Sequence, residues 1–359
     1  MSLYAEFQRL VQHFDGLGAW QKRALAWFCT GVVLAESCQL PRVADALLSL
    51  QHPSASAWEK RLARFLSNPR ISDELLSQAW VRWIAQTYSS AHWVILVDET
   101  KLSDHLSVMM VGLAYRGRAL PLLWRCYTPT DYPAEGQVAL ITELLTRLRL
   151  LVPADIAFTV QADRGIGTSP DLIRALQRLG MDFLLRVQGQ TRLRLGNGRV
   201  HALASLVKPG ETWCGRGEVF KKAGWLRLEV RLEWRVGEKS PWCLVTNSRW
   251  RRSRDYALRA WHEQSFRDLK SFGFRWNASH VWRPAHAHRL LFVLALAYTW
   301  VLAQALCFTP EERLSPSRTA PRQSLFRRGL RWLRQHFRLT VPPPVYPDLF
   351  FRPDTPLLC

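Results

Sequence analysis

Four residues in the last third of the chain, Tyr256, Arg259, Glu263 and Lys270, follow the spacing Y-x2-R-x3-E-x6-K. At about 100° per residue they fall within roughly a 60° arc of a predicted helix. Leu258, Trp261, Leu269 and Phe272 fall on the far side and read as its core-facing stripe. The helix therefore presents a carboxylate, two cations and a phenol together. A carboxylate flanked by cations suits a metal ion beside phosphates better than it suits an apolar ligand. Arg259–Glu263 and Glu263–Arg267 are also i,i+4 pairs, so the same residues would equally form a solvated, salt-bridged face.

Two aspartates extend the pattern. Trp93–Val97 is a continuous apolar run that ends at Asp98, as expected of a buried strand delivering a carboxylate at its tip. Ile156–Gln161 is a second such run, ending in Ala162-Asp163-Arg164-Gly165. Alone, either aspartate would read as a turn residue. Together, two strand ends and one helix can bring Asp98, Asp163 and Glu263 to one edge of a sheet. Three carboxylates so placed hold two divalent cations about 3.5–4 Å apart, an arrangement that cuts and joins phosphodiesters. Hard cations of the Mg²⁺ type take oxygen ligands, and no Cys/His set offers comparable spacing.

Elements that would position these groups can be read along the chain. Residues 1–88 carry apolar positions at helical spacing and read as a helical bundle with a basic surface; Ser37, Ser54 and Ser72 are cap or turn residues. Ser107–Tyr115 and Ala119–Tyr127, joined by Arg116-Gly-Arg118, read as a hairpin pairing with the first strand. Gln137–Leu150 and Pro170–Leu179 are predicted helices, and Phe183–Val187 a further strand. Residues 188–240 alternate in short runs (Thr191–Leu195, Trp225–Trp234) between glycine-rich turns, which predicts a β-rich insert. Trp242–Thr246 returns to a buried strand before the Tyr256–Lys270 helix, which Gly273 would cap. A long apolar helix spans about 285–308, and the tail carries a basic amphipathic helix over 327–338 and a proline-rich end.

Composition narrows the partner. The chain has 359 residues, is 48% hydrophobic and carries a net charge of +20, which points to a polyanion, nucleic acid by default. Arginine far outnumbers lysine, as suits bidentate phosphate contact. The 17 tryptophans are unusually many; most read as core, and some are candidates for stacking on bases. Seven cysteines without a CxxC pair argue for a reducing compartment and against a disulfide framework or zinc knuckle. The first ten residues lack a charged-then-apolar signal pattern. Leu290–Phe308 is apolar enough to mimic a membrane span, but in a basic chain it reads as a buried core helix.

The order Asp98, Asp163, Glu263, with Y-x2-R-x3-E-x6-K around the last, resembles the IS4-type DDE insertion-sequence transposases. Val97-Asp98-Glu99-Thr100 is similar to that family's first-aspartate motif and Asp163-Arg164-Gly165 to its second. Leu244-Val-Thr-Asn247 and the apolar helix after Lys270 also fit, so the resemblance covers residues 90–308. It implies an α/β fold with a ribonuclease-H-like mixed sheet flanked by helices and interrupted by a β-rich insert, behind an N-terminal helical domain. The expected organisation is a helical DNA-binding domain (1–88), the first part of the catalytic core (89–187), the insert (188–240), the second part with the Glu263 helix (241–308), and a basic tail (309–359). About 100 residues separate Asp163 from Glu263, so the insert is compact.

By the same resemblance, Asp98, Asp163 and Glu263 bind two Mg²⁺ ions, with Mn²⁺ as a substitute, while Tyr256, Arg259 and Lys270 hold DNA phosphates. The reaction implied is hydrolytic nicking of a transposon end, attack by the freed 3′-hydroxyl through a hairpin intermediate, and strand transfer into target DNA. The expected partners are double-stranded DNA (end repeats and target) and a second copy of the chain in the active complex, with no membrane; the expected location is the bacterial cytoplasm, at the nucleoid. A catalytically silent DNA-binding protein of the same fold and a two-metal nuclease that only hydrolyses are the alternatives.

Arg164, Lys221, Lys222, Arg251 and Arg252 are candidate phosphate contacts or parts of a solvated face. Trp213, Trp225, Trp234 and Trp242 are candidates for stacking on an extruded base, or for core packing of the insert. His262 should point about 100° away from Glu263 and act as a structural neighbour. Glu99 should face away from Asp98 on an extended strand. His286 and His288 open a helix and suit capping or surface roles. Gly165-x-Gly167 lacks the third glycine of a dinucleotide loop.

Overall fold

A computed structural model describes residues 3–50, 53–249, 251–308 and 324–338. The expected proline-rich end and most of the 309–359 tail lie outside the described residues. Five helices come first: α1 (Leu3–Val11), α2 (Ala19–Ala35), α3 (Leu40–Leu48), α4 (Ala55–Ser67) and α5 (Asp73–Thr87). Ser54 and Ser72 cap α4 and α5 by accepting from the backbone N–H of Ala57 (3.3 Å) and Leu75 (3.2 Å). Ser37 sits in the turn before α3, accepting from the Gln39 N–H.

The chain then enters a sheet: β1 (His92–Ser103), β2 (Leu106–Tyr115), β3 (Arg118–Tyr127), helix α6 (Gly136–Leu151), and β4 (Ala157–Ala162). A one-turn helix α7 (Arg164–Gly167), α8 (Pro170–Arg178) and β5 (Asp182–Arg186) follow. Next come β6 (Arg192–Arg194), β7 (Val200–Ala202), β8 (Thr212–Val219), β9 (Leu226–Glu233) and β10 (Trp242–Thr246). The last helices are α9 (Ala260–Arg267), α10 (Pro284–Phe308) and α11 (Leu325–Arg338).

The strands form one sheet in the order β3-β2-β1-β4-β5-β10-β9-β8-β6-β7. β1, β2 and β3 are antiparallel, β4 joins β1 in parallel, and β5 joins β4 in parallel. Arg116 and Gly117 turn the β2–β3 hairpin, both at positive φ (46° and 82°), which matches the right-handed twist of the flanking strands. This mixed α/β sheet, flanked by helices and preceded by a helical region, is consistent with the expected ribonuclease-H-like architecture. Strands β6 to β9 hydrogen-bond onto β10 through β9, so the insert continues the main sheet rather than standing apart from it.

Asp98 is not at the end of its strand. β1 runs on to Ser103 because β2 keeps pairing with it past Asp98, which lies opposite Met110. It is β4 that stops: its last partner pair with β1 is Ala162 with Val97. The apolar run ends at Asp98 where the parallel partner ends, and the strand itself continues in the hairpin.

One hydrophobic core runs from the N-terminal helices through the sheet to α10 and α11, with Trp58, Trp80, Trp93, Trp124 and Trp276 fully buried in it. α10 is long and apolar enough to cross a membrane by length and composition, and 83% of its most apolar window is buried inside the protein. Arg289 of α10 ties it to the helical region, donating to Asp73 (2.7 Å) and to the carbonyls of Leu66 and Ile71. The Trp124 indole donates to the His288 carbonyl (3.2 Å), and the two rings pack together.

Burial pushes the His288 imidazole down to about 4. The His262 imidazole is pushed the same way by burial, to about 3. A histidine held below its unfolded value of 6.5 contributes stability that is complete above pH 6.5 and is lost as the pH falls toward the folded value. His288→Gln is expected to flatten the decline in unfolding free energy between pH 7 and pH 5, measured by urea titration, by about 2 kcal/mol. An unchanged decline would show that His288 is not buried as a neutral ring.

Candidate active site

The parallel register of β1 and β4 sets two of the three carboxylates side by side. Val97 pairs with Ala162, so the next residues, Asp98 and Asp163, leave the seam together. Asp98 is 9% exposed; its Oδ1 accepts from the Glu99 N–H at 3.0 Å. Asp163 caps α7, accepting from the Ile166 N–H at 3.1 Å. The turn after Asp163 has no room for a side chain at Gly167, where an added Cβ would stand 2.4 Å from the Arg186 carbonyl oxygen. Glycine there is a packing requirement of α7 against β5.

Glu99 points to the opposite face, where Gln137 of α6 donates to it at 3.1 Å. Since alternate residues of a strand face opposite sides, α6 and α9 cover opposite faces of the sheet.

The third carboxylate arrives on a segment that is not one regular helix. Residues Ser253–Arg259 form a 3-10 turn, Ala260–Arg267 the α-helix, and Asp268–Phe272 a π turn. The single-stripe expectation is corrected accordingly. The buried face of the segment is His262, Ser265, Phe266, Asp268 and Leu269, whereas Phe272 is 56% exposed. Leu258 and Trp261 pack only partly, against Leu96, Ala114 and Ala119. His262 is fully buried.

Arg259 is the centre of the site. Its Nη2 lies 3.0 Å from Asp98 Oδ2 and 3.6 Å from Asp163 Oδ2, and its Nη1 donates to Glu263. Three carboxylates remote in sequence thus surround one guanidinium. Burial raises the Asp98 carboxyl to about 6; Arg259 opposes that rise, and the charges of Asp163 and Glu263 add to it. The Arg259–Glu263 i,i+4 pair does form, but as part of this cluster rather than as a solvated face.

The remaining predicted residues divide. Lys270 donates to Thr100 Oγ1 and to the Lys101 carbonyl, on the same strand as Asp98, and burial lowers its pKa. Tyr256 is buried against Leu184 and Leu244, and its hydroxyl donates to the Ala162 carbonyl at 3.2 Å. It secures the 3-10 turn to the end of β4 instead of facing phosphate. Arg251 is likewise engaged: its Nη2 contacts Thr159 Oγ1 and His92 Nε2, both at 2.6 Å, at the opposite end of the β1–β4 seam from Asp98. Arg164, Arg252, Lys221 and Lys222 are exposed, the lysines in a 3-10 turn between β8 and β9.

Trp213, Trp225 and Trp234 of the insert and Trp242 of β10 are half-buried. Arg194 covers Trp225 at 4.6 Å and Arg235 covers Trp242 at 4.3 Å.

Four residues that anchor the Glu263 segment carried no such signal in the sequence. Ser265 Oγ accepts from the Ala119 N–H at 2.7 Å. Asp268 pairs with Arg118 of β3 at 2.6 Å, and the Tyr298 hydroxyl of α10 lies 3.3 Å from the same carboxylate oxygen. An acidic residue five positions past Glu263 reads as solvated until tertiary packing buries it. These contacts hold the segment on β3 and so hold Glu263 against Arg259.

The donor set suits a hard divalent cation: all carboxylate oxygen, with like charges crowded at Asp98. Among the described residues, no three acidic, His or Cys side chains stand in metal-holding geometry. The cation that lies among the three carboxylates is the Arg259 guanidinium.

Comparison with known families connects this geometry to a class of proteins. Residues 136–300 match the transposase DDE domain family. The match takes in Asp163, the insert, Glu263 and most of α10, and is consistent with a DDE transposase. Asp98 lies ahead of the matched DDE segment and joins it through the β1–β4 pairing. A DDE domain implies an enzyme that processes nucleic acid, with DNA as its substrate, and such domains generally use divalent metals. No curated protein matches the chain.

Proposed function

We propose that this protein is an active DNA transposase of the IS4 type that cuts transposon ends and joins them to target DNA. The observation that carries the reading is the gathering of Asp98, Asp163 and Glu263 around one point, from a strand, a strand end and a helix. The family match over the second and third of these supports it. In this reading Asp98, Asp163 and Glu263 would hold two Mg²⁺ ions, with Mn²⁺ as a substitute. Bound there, such ions polarise a scissile phosphate and lower the pKa of an attacking water or 3′-hydroxyl.

The chain's own residues would do the rest. Asp98 and Asp163 are held rigidly by the sheet and the α7 cap, and Glu263 by the Ser265 and Asp268 anchors. Arg259, which pairs with all three carboxylates, would give up those pairs to bound cations, and its fork would then suit a DNA phosphate. Lys270 keeps a second positive charge beside the Asp98 strand. Arg164, Arg252, Lys221 and Lys222 are free to contact the backbone of the duplex.

The reaction sequence is nicking, hairpin formation on the transposon end, its reopening, and strand transfer. The helical region 1–88 reads the ends, and two copies of the chain pair two ends. Such a protein works at the bacterial nucleoid.

The test is incubation of the protein with Mg²⁺ and DNA carrying its element's terminal repeats, beside Asp98→Ala and Glu263→Ala. End-specific cleavage that both variants lose is the expected result. Binding without cleavage by the wild type would instead identify a silent DNA-binding protein, and cutting without end preference or joining a plain nuclease.

A further inference from the structure

The Leu325–Arg338 helix carries Arg327, Arg328, Arg331, Arg334 and Arg338 and no acidic residue. Its apolar face is already used. Phe326, Leu330 and Leu333 are buried, and at Gly329 an added Cβ would stand 2.7 Å from the Val301 carbonyl oxygen of α10, so the two helices are in backbone contact. Arg327 and Arg331, one turn apart, are exposed. Among the described residues neither takes part in an ion pair.

Two like charges at i,i+4 destabilise a helix, a cost that a bound polyanion removes. A basic amphipathic helix often lies on anionic membranes, but it does so by inserting its apolar face. Here that face is sealed against α10, which favours a rigid anionic surface that needs only the cations.

The helix is also joined to the candidate active site. Ser324, just ahead of it, contacts Asp268 at 3.3 Å, and the Phe326 ring packs on Phe274 at 5.1 Å. The Arg327 guanidinium stands 5.8 Å over the ring of Phe272, two residues past Lys270. Arg267 and Arg275, on the same connecting segment, are exposed as well. We infer that the outward face of α11, led by Arg327 and Arg331, is a phosphate-binding surface that extends the candidate active site along duplex DNA. This rests on the reading of the protein as a DNA transposase.

The experiment is a salt titration of the full chain's binding to a short linear DNA duplex. It compares the wild type with Arg327→Glu/Arg331→Glu, the neutral Arg327→Gln/Arg331→Gln, and Arg178→Glu on α8 as a control for net charge. If α11 contacts two phosphates, both double variants lower the slope of log affinity against log salt by about 2, and low-salt affinity falls roughly tenfold or more. Arg178→Glu leaves the slope close to that of the wild type. Wild-type binding with an unchanged slope in the neutral variant overturns the α11 surface and leaves the transposase reading standing. No salt-dependent DNA binding by the wild type overturns both. Preferential binding to phosphatidylglycerol vesicles, lost in the same variants, would overturn the assignment to DNA.

Discussion

Arg259→Ala is expected to unfold at a lower temperature than the wild type in chelator and to be rescued by divalent cations. The guanidinium is the only described cation lying among Asp98, Asp163 and Glu263. Asp98 is largely buried, so its charge cannot be relieved by solvent. Removing one partner of a mostly buried charge cluster costs about 3 kcal/mol or more. Glu263, which is half exposed, accounts for little of that loss. If the carboxylates take the proposed cations, Mn²⁺ or Mg²⁺ would replace the missing positive charge, and the variant is expected to gain more thermal stability from added cation than the wild type, where the cation would have to displace Arg259 first. Thermal unfolding of both proteins across a Mn²⁺ titration measures this without recourse to activity. Equal unfolding temperatures in chelator, and equal indifference to Mn²⁺, would mean that the carboxylates do not converge in solution.

Asp98→Asn is expected to do the reverse to stability while removing activity. The Asp98 carboxyl, at about 6 in the folded chain against 3.8 ordinarily, is penalised by burial and by its like-charged neighbours. An acid raised on folding leaves the native state fully stable below the unfolded value. That stability is lost as the pH rises through the folded one, here from about 4 to about 6. At pH 7 the neutral isostere avoids a penalty on the order of 2–3 kcal/mol. The substitution also leaves Arg259 with two carboxylate partners, Asp163 and Glu263. If Asp98 holds the proposed cations, cleavage of end DNA should fall about a thousandfold or more, because such a ligand would supply several kcal/mol of charge stabilisation. Thermal unfolding in chelator at pH 7 and at pH 4 checks the sign: the advantage of the variant should shrink at the lower pH. A variant less stable than the wild type at pH 7 would refute the crowding of charge at Asp98. One that is more stable and still cuts DNA would remove Asp98 from the chemistry.

The stability relation of the two variants has one origin. The site holds more negative charge than its own cation neutralises, and the fold tolerates this because Ser265, Asp268, Arg118 and Tyr298 fasten the Glu263 segment at a distance from the carboxylates. The contacts of those four residues hold the Glu263 segment on β3 and α10.

Much of this was legible along the chain because it rests on local signals. Continuous apolar runs mark strands buried on both faces, and so β1, β4 and β10 are visible together with the aspartates that follow the apolar runs of the first two. Helical spacing marks α1 to α6, α8 and α10, and serines at their starts mark two of their caps. Residue type and order alone indicate that three carboxylates and a run of cations could serve phosphate chemistry, and the net charge indicates a polyanionic partner. The tertiary structure decided what each of these groups faces. Whether Asp98 ends a strand depends on where β4 stops, and β4 lies far along the chain from it. Whether Tyr256 and Arg251 meet solvent depends on Ala162, His92 and Thr159, which approach only across the sheet. The helical period misplaced the buried face of the Glu263 segment because a 3-10 turn and a π turn flank its regular part, and both change the angle between successive residues. Local sequence determines which elements form and which chemistry they carry. The direction in which a side chain points is decided by long-range packing, and no spacing rule along the chain contains that information.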